Sequence, residues 1–102
     1  FAFSSCAGEL KIISANNFIG IGAFQAIKER GYKIPDDIGI VIYDEVYLAD
    51  FVDPPLTVVV QSAEELGRSA AELLLERIDS QGILPPREVV IEPKLIVRNS
   101  TK

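Results

Sequence analysis

The segment Pro54-Pro55-Leu56-Thr57-Val58-Val59-Val60-Gln61-Ser62-Ala63-Glu64-Glu65-Leu66-Gly67-Arg68 restricts the fold more tightly than any other stretch of the 102-residue chain. Paired prolines hold φ near −65° and cannot extend a helix, so the chain turns there. Thr57 and the three valines are β-branched and favour a strand. Ser62 followed by Glu65 fits a capping box, in which hydroxyl and carboxylate each satisfy an otherwise unpaired N–H at a helix start. A turn, a strand and a helix beginning near Ser62 therefore follow one another without a gap.

The same grammar runs upstream. Lys11 to Ala15 is a short, mainly apolar run ending in Asn16-Asn17, after which Ala23, Phe24 and Ile27 follow helical spacing from Gly20. Gly31 suits the left-handed C′ position and Pro35 lies shortly beyond it, which places a helix over roughly residues 17 to 30. Ile38-Gly39-Ile40-Val41-Ile42-Tyr43 reads as a strand buried on both faces of a parallel sheet. Strand, helix and strand make a βαβ unit, and a right-handed crossover puts Asn16 and Asp44 at the same carboxyl edge, where open α/β sheets bind ligands. Downstream, Leu66, Ala70, Leu73, Leu74 and Ile78 give an amphipathic helix over 62 to 79 that needs a partner surface, with Glu64, Glu65 and Glu72 as its solvated side. Gln81 to Pro86 reads as a loop, and Glu88 to Ile91 and Leu95 to Val97 read as two short strands divided by Pro93.

Composition removes several function classes. With no histidine, imidazole catalysis and histidine metal sites are excluded within this chain. A net charge of −5 argues against this piece gripping a phosphate backbone. No apolar run approaches the ~20 residues of a membrane helix, and Phe1 to Gly8 lacks the pattern of a secretory signal. The lone Cys6 fits a reducing, cytoplasmic compartment, and the chain reads as a piece of something longer. Asp36, Asp37, Asp50 and Asp53 cluster near strand ends, but their spacing matches no metal loop and they are read as solvated turn residues. No metal or cofactor is expected.

Taken in order, several motifs resemble the LacI/GalR family of bacterial transcriptional regulators. Ser14-Ala15-Asn16-Asn17 is similar to that family's (Ala/Val)-Ala-Asn-Asp. Lys28 to Ile38 is similar to Arg-x-x-Gly-x-x-(Val/Ile)-Pro-x-Asp-(Ile/Val), and Ile42-Tyr43-Asp44-Glu45 to Gly-(Phe/Tyr)-Asp-Asp. Pro54 to Gln61 resembles Pro-Pro-Leu-Thr-Thr-(Val/Ile)-x-Gln, and Pro93 to Thr101 resembles an ending in Leu-(Ile/Val)-x-Arg-x-Ser-Thr. The resemblance runs from about Ile12 to the C-terminus, and residues 1 to 10 match nothing in it.

It implies an α/β fold of the periplasmic-binding-protein-like type, present in part: a parallel sheet with flanking helices, in the last portion of an effector-binding and dimerisation domain. Residues 11 to 60 and 92 to 98 would belong to the C-terminal lobe, residues 62 to 90 to the N-terminal lobe, and the DNA-binding headpiece would be absent. By residue, the resemblance gives Asn16 and Asp44 as groups that hydrogen-bond the effector, with Gln61 a further candidate near the crossing between lobes. Ala63 stands where some members carry an aromatic on the ligand. Ile42 replaces a usual glycine and could narrow the cleft floor, while Asn17 replaces a usual aspartate and still suits an N-cap.

The chemistry of these residues permits plainer roles. Asp44 can accept a charge-assisted hydrogen bond from a ligand hydroxyl or simply cap the following turn, and Asn16 can bind a ligand or cap the helix behind it. Phe18, Ile21 and Gly22 form a second apolar strip on the first helix, either buried by other parts of the protein or, as the resemblance implies, forming a two-fold dimer seam that extends to Phe51 and Val52.

The function so implied is binding rather than catalysis. A small-molecule effector, a sugar or nucleoside, would alter operator binding by a homodimer of a LacI-type repressor. A periplasmic sugar receptor of the same fold is the alternative. A Mg²⁺-dependent phosphotransfer enzyme built on Asp44 lacks a P-loop, a second aspartate two residues later and a lysine partner.

Overall fold

Prolines and glycines that punctuate the sequence mark the element ends in the computed structural model, which describes residues 2–6, 9–44, 46–47 and 49–101. Strand β1 (Ala2–Cys6) forms a hairpin with β2 (Glu9–Ser14). Helix α1 (Asn17–Glu29) leads to β3 (Ile38–Tyr43) and then β4 (Thr57–Val60). Helix α2 (Ala63–Asp79) precedes the short β5 (Lys94–Ile96). The chain divides into two compact units, Phe1–Val60 with Lys94–Lys102, and Gln61–Pro93.

The first unit is a five-stranded sheet in sequential order. Its three central strands are parallel, with Ser14 opposite Ile42 and Ile42 opposite Val58. Its two edges are antiparallel: β1 on β2, and β5 on β4 with Val60 opposite Lys94. The parallel sheet expected from the βαβ pattern is thus the middle of a mixed sheet. Residues 1 to 10, which gave no element signal, supply β1 and the start of β2 among the described residues.

Side chains alternate across a strand, and here only one face is well covered. Helix α1 lies on β2 and β3 and contributes Ile27 to a core with Ile40, Ile42, Val58 and Leu56, against which Ile12, Phe24 and Val60 pack. Ile40 and Ile42 are 0% exposed, whereas Val41 and Tyr43, pointing the other way, are half-buried. The expectation that β3 is buried on both faces therefore needs correction. No described element of this unit covers its second face.

Helix α1 starts at an N-cap, Asn16, whose side chain accepts the Ile19 N–H at 2.9 Å. The cap is Asn16, not Asn17. At the other end Gly31 takes φ 78°, the left-handed conformation that stops a helix at little cost for glycine.

The carboxy-terminal residues return to the sheet. Ser100 is 0% exposed and stands between β3 and the start of β4. Its hydroxyl donates to the Ile40 carbonyl at 2.7 Å and accepts the Thr57 N–H at 2.7 Å. Its backbone carbonyl accepts the Ile40 N–H and its N–H donates to the Pro55 carbonyl. Thr57 Oγ1 accepts the Arg98 N–H at 2.9 Å, and the Arg98 guanidinium donates to the Leu56 carbonyl and pairs with Asp50.

The second unit is α2 and the segment that follows it. Ser62 caps α2 by accepting the Glu65 N–H, the hydroxyl half of the capping box. No residue of α2 is buried, and Leu66, Leu74 and Ile78 are exposed. Leu73 is half-buried, because residues 84 to 87 fold back beside it, held by Arg87–Glu76 and by Arg77 donating to the Leu84 carbonyl. Glu88 to Ile91 do not form the expected strand. A strand needs a neighbour for its backbone groups, and none is present within this unit among the described residues.

Candidate functional site

Ser14, the last residue of β2, lies beside Ile42 of the parallel strand β3, and each is followed two residues later by a polar side chain. Those residues are Asn16 and Asp44. Neighbouring strands are ~4.8 Å apart, so the topology brings both groups to one carboxyl edge of the sheet.

Each is held by its backbone. The Asn16 carbonyl accepts the Gly20 N–H at 3.0 Å and the Ser14 hydroxyl at 3.2 Å, while its amide oxygen caps α1. The capping role therefore operates, and it leaves the Asn16 amide NH₂ as the donor with which a ligand could be met. Asp44 is half-buried, its N–H donates to the Val59 carbonyl at 2.8 Å, and its φ is 88°. A non-glycine residue in that region is uncommon, aspartate being one of the few that tolerate it, and such backbones concentrate at functional sites.

Gln61 directly follows Val60, the last residue of β4, and is half-buried at the start of the second unit. Ala63 is exposed in the first turn of α2. Ile42 does not form a cleft floor: it is 0% exposed, with its side chain beneath α1 at Gly20.

Of the residues considered for a dimer seam, Phe18 is 80% and Phe51 82% exposed. Ile21 is also exposed, and Gly22 has open space where a Cβ would stand. Val52 differs from these, being half-buried and packed against the core cluster. The Lys28 ammonium at the end of α1 donates to the Asp53 carbonyl, which ties the 51 to 53 turn to that helix.

One feature had no sequence signal. A hollow of about 210 Å³ lies over β4 and β5, walled by Val58, Val60 and Ile96 and rimmed by Tyr47, Phe51 and the Asp50–Arg98 pair. Its residues come from three separate stretches and no local pattern links them. Among the described residues, no group of three or more His, Cys, Asp or Glu could hold a metal ion. Among the described residues, no helix is long and apolar enough to cross a membrane.

Comparison with known proteins places this geometry. A model of the periplasmic binding protein-like domain matches residues 11–101. The HTH-type transcriptional repressor PurR of Haemophilus influenzae is 38% identical over 93 residues, 89% of this chain and 28% of the relative. A LacI family transcriptional regulator from Enterococcus faecalis, solved with bound ribose, superimposes with a TM-score of 0.78 at 40% identity, over 89% of this chain and 34% of that one. The lac repressor dimer bound to operator and the anti-inducer ONPF gives a TM-score of 0.75 at 27% identity, over 89% and 31%. The chain spans little more than a quarter of the length of the curated relatives it matches.

Proposed function

This chain belongs to the periplasmic binding protein-like domain family, as part of a LacI-type effector-binding domain, and on that premise we propose that it is the ligand-sensing and dimerising portion of a transcriptional repressor. The observation that carries the reading is the pairing of Asn16 and Asp44 at one sheet edge, two residues beyond the matched positions Ser14 and Ile42. Together they offer a neutral donor and an anionic acceptor, which suits the adjacent hydroxyls of a sugar or nucleoside. The ribose bound by the Enterococcus relative supports that chemical class. Gln61 is the third contact, and the sheet unit and the α2 unit are portions of the C-terminal and N-terminal lobes. Ligand binding biases lobe closure and so operator binding by a headpiece outside this chain, in the cytoplasm. That PurR of Haemophilus influenzae and the lac repressor are repressors favours this over a periplasmic receptor.

Asp44→Ala in the full-length protein is expected to weaken ribose binding by roughly 10- to 100-fold, the worth of a hydrogen bond to a charged group, while leaving the oligomeric state unchanged. Calorimetric titration of both proteins with D-ribose measures it. Equal affinities would remove Asp44 from the site.

The dimer seam runs along the exposed strip of α1, Phe18, Ile21 and Gly22, toward Phe51 and Val52. Large aromatic side chains left in water on a helix surface mark association sites, and the lac repressor relative is a dimer. Phe18→Glu is expected to raise the dimer dissociation constant by about 100-fold or more, because it would bury an unpaired charge on each side of the two-fold interface. Sedimentation over a dilution series reads this directly, and an unshifted dimer would place the seam elsewhere.

A further inference from the structure

Helix α1 and strand β3 approach each other more closely at Gly20 than any side chain allows. A Cβ added there would stand 2.6 Å from Ile42 Cγ1, 2.7 Å from Ile42 Cγ2 and 2.6 Å from Ser14 Oγ. Carbon atoms in contact rest at ~3.5–4.0 Å, so the helix would have to rise by about 1 Å to admit even a methyl group. Ile42 cannot yield: it is 0% exposed, and both γ-carbons of its branched side chain meet the added atom. Ser14 could turn its hydroxyl, at the cost of its bond to the Asn16 carbonyl.

The contact adjoins both candidate ligand groups along the chain. The Gly20 N–H is bonded to the Asn16 carbonyl, and Ile42 lies two residues before Asp44 on the strand beneath. We propose that Gly20 and Ile42 form a spacer that sets the separation of Asn16 from Asp44 and thereby selects which ligand hydroxyl pair the site accepts. The proposal rests on the effector reading given above for its ligand, but the spacer itself stands on the packing alone. Ile42 supplies bulk from the strand and Gly20 its absence from the helix, so the two positions act as one interlocking surface. A site spanning two elements must be held to within ~0.5 Å, which a helix displaced by a methyl group exceeds.

The test is a double-mutant cycle in the full-length protein with two readouts. Gly20→Ala is expected to lower the melting temperature by roughly 2–12 °C, the range for overpacking a tight contact in a domain larger than this chain. It should also shift the backbone amide resonances of Ile19 and Asp44 and weaken D-ribose binding by roughly 10- to 100-fold. In the Ile42→Ala background, which removes both γ-carbons, adding Gly20→Ala should cost no further melting temperature and should return both amide resonances toward their wild-type positions. If Gly20→Ala alone fails to fold, recovery of a folded protein in the double variant is the same rescue. Additive losses, with no recovery of either resonance, overturn the spacer. Rescue of stability and resonances in a protein that binds no ribose upholds the spacer and removes ribose as its ligand.

Discussion

Replacing Ser100 with alanine is expected to destabilise the sheet unit by roughly 2–5 kcal/mol, because each buried polar group left without a partner costs ~1–3 kcal/mol. The hydroxyl holds two such groups: it receives the Thr57 N–H and donates to the Ile40 carbonyl, and Ser100, Ile40 and Thr57 are all within 2% of complete burial. Water cannot take over without opening the space between β3 and β4. Thr101→Ala is the control, since among the described residues its hydroxyl meets the Thr57 hydroxyl alone, and that hydroxyl keeps its bonds to the Arg98 backbone. Urea midpoints of the two variants should differ clearly. A Ser100 variant no weaker than Thr101→Ala would mean that the buried clip carries no net stability.

Ile40→Ala should cost about 2–5 kcal/mol, through lost transfer energy and the cavity left behind. The residue is 0% exposed in a core covered from one side only, so α1 has to settle toward the sheet to close the gap. Gly20 already touches Ile42 and limits that movement, which argues for the upper part of the range. Val97→Ala, at a position 67% exposed in the same unit, is expected to lie within ~0.5 kcal/mol of the parent. Comparable losses at the two positions would refute the one-sided core.

Much of the fold was legible because the chain is well punctuated. Gly31, Pro35 and the Ser62 cap end or begin elements by local chemistry alone, and the helices and strands they bound fall within one or two residues of expectation. Elements without such signals were missed or misplaced. Ala2 to Cys6 has no alternation to mark it as a strand and becomes one through its antiparallel register with β2. Glu88 to Ile91 carries β-branched residues yet stays irregular, since a propensity cannot supply a neighbouring strand. Asn16 and Asp44 could be placed at one edge from strand order. That Asn16 spends its amide oxygen on the cap, and that Asp44 adopts a left-handed backbone, required coordinates. Gly20 gave no sign of its close contact, and Ser100, though part of the Arg-x-Ser-Thr ending, gave none of its buried bonds, for a related reason. A serine near a chain end reads as solvated and a glycine inside a helix as a small penalty, until the strand that meets each is known.

Val60 and Lys94 lie opposite each other on neighbouring antiparallel strands, and the whole of the second unit is strung between them. Cα atoms across such a rung are only ~4.5–5.5 Å apart. In topological terms the sheet unit is a protein with a β-hairpin at its edge, and Gln61–Pro93 is an insertion occupying that hairpin's loop. A two-residue turn would span the same gap. The sheet therefore owes nothing to the inserted segment for the closure of its own backbone, and the insert can lengthen, shorten or diverge in sequence without disturbing the strand order or register of the sheet unit.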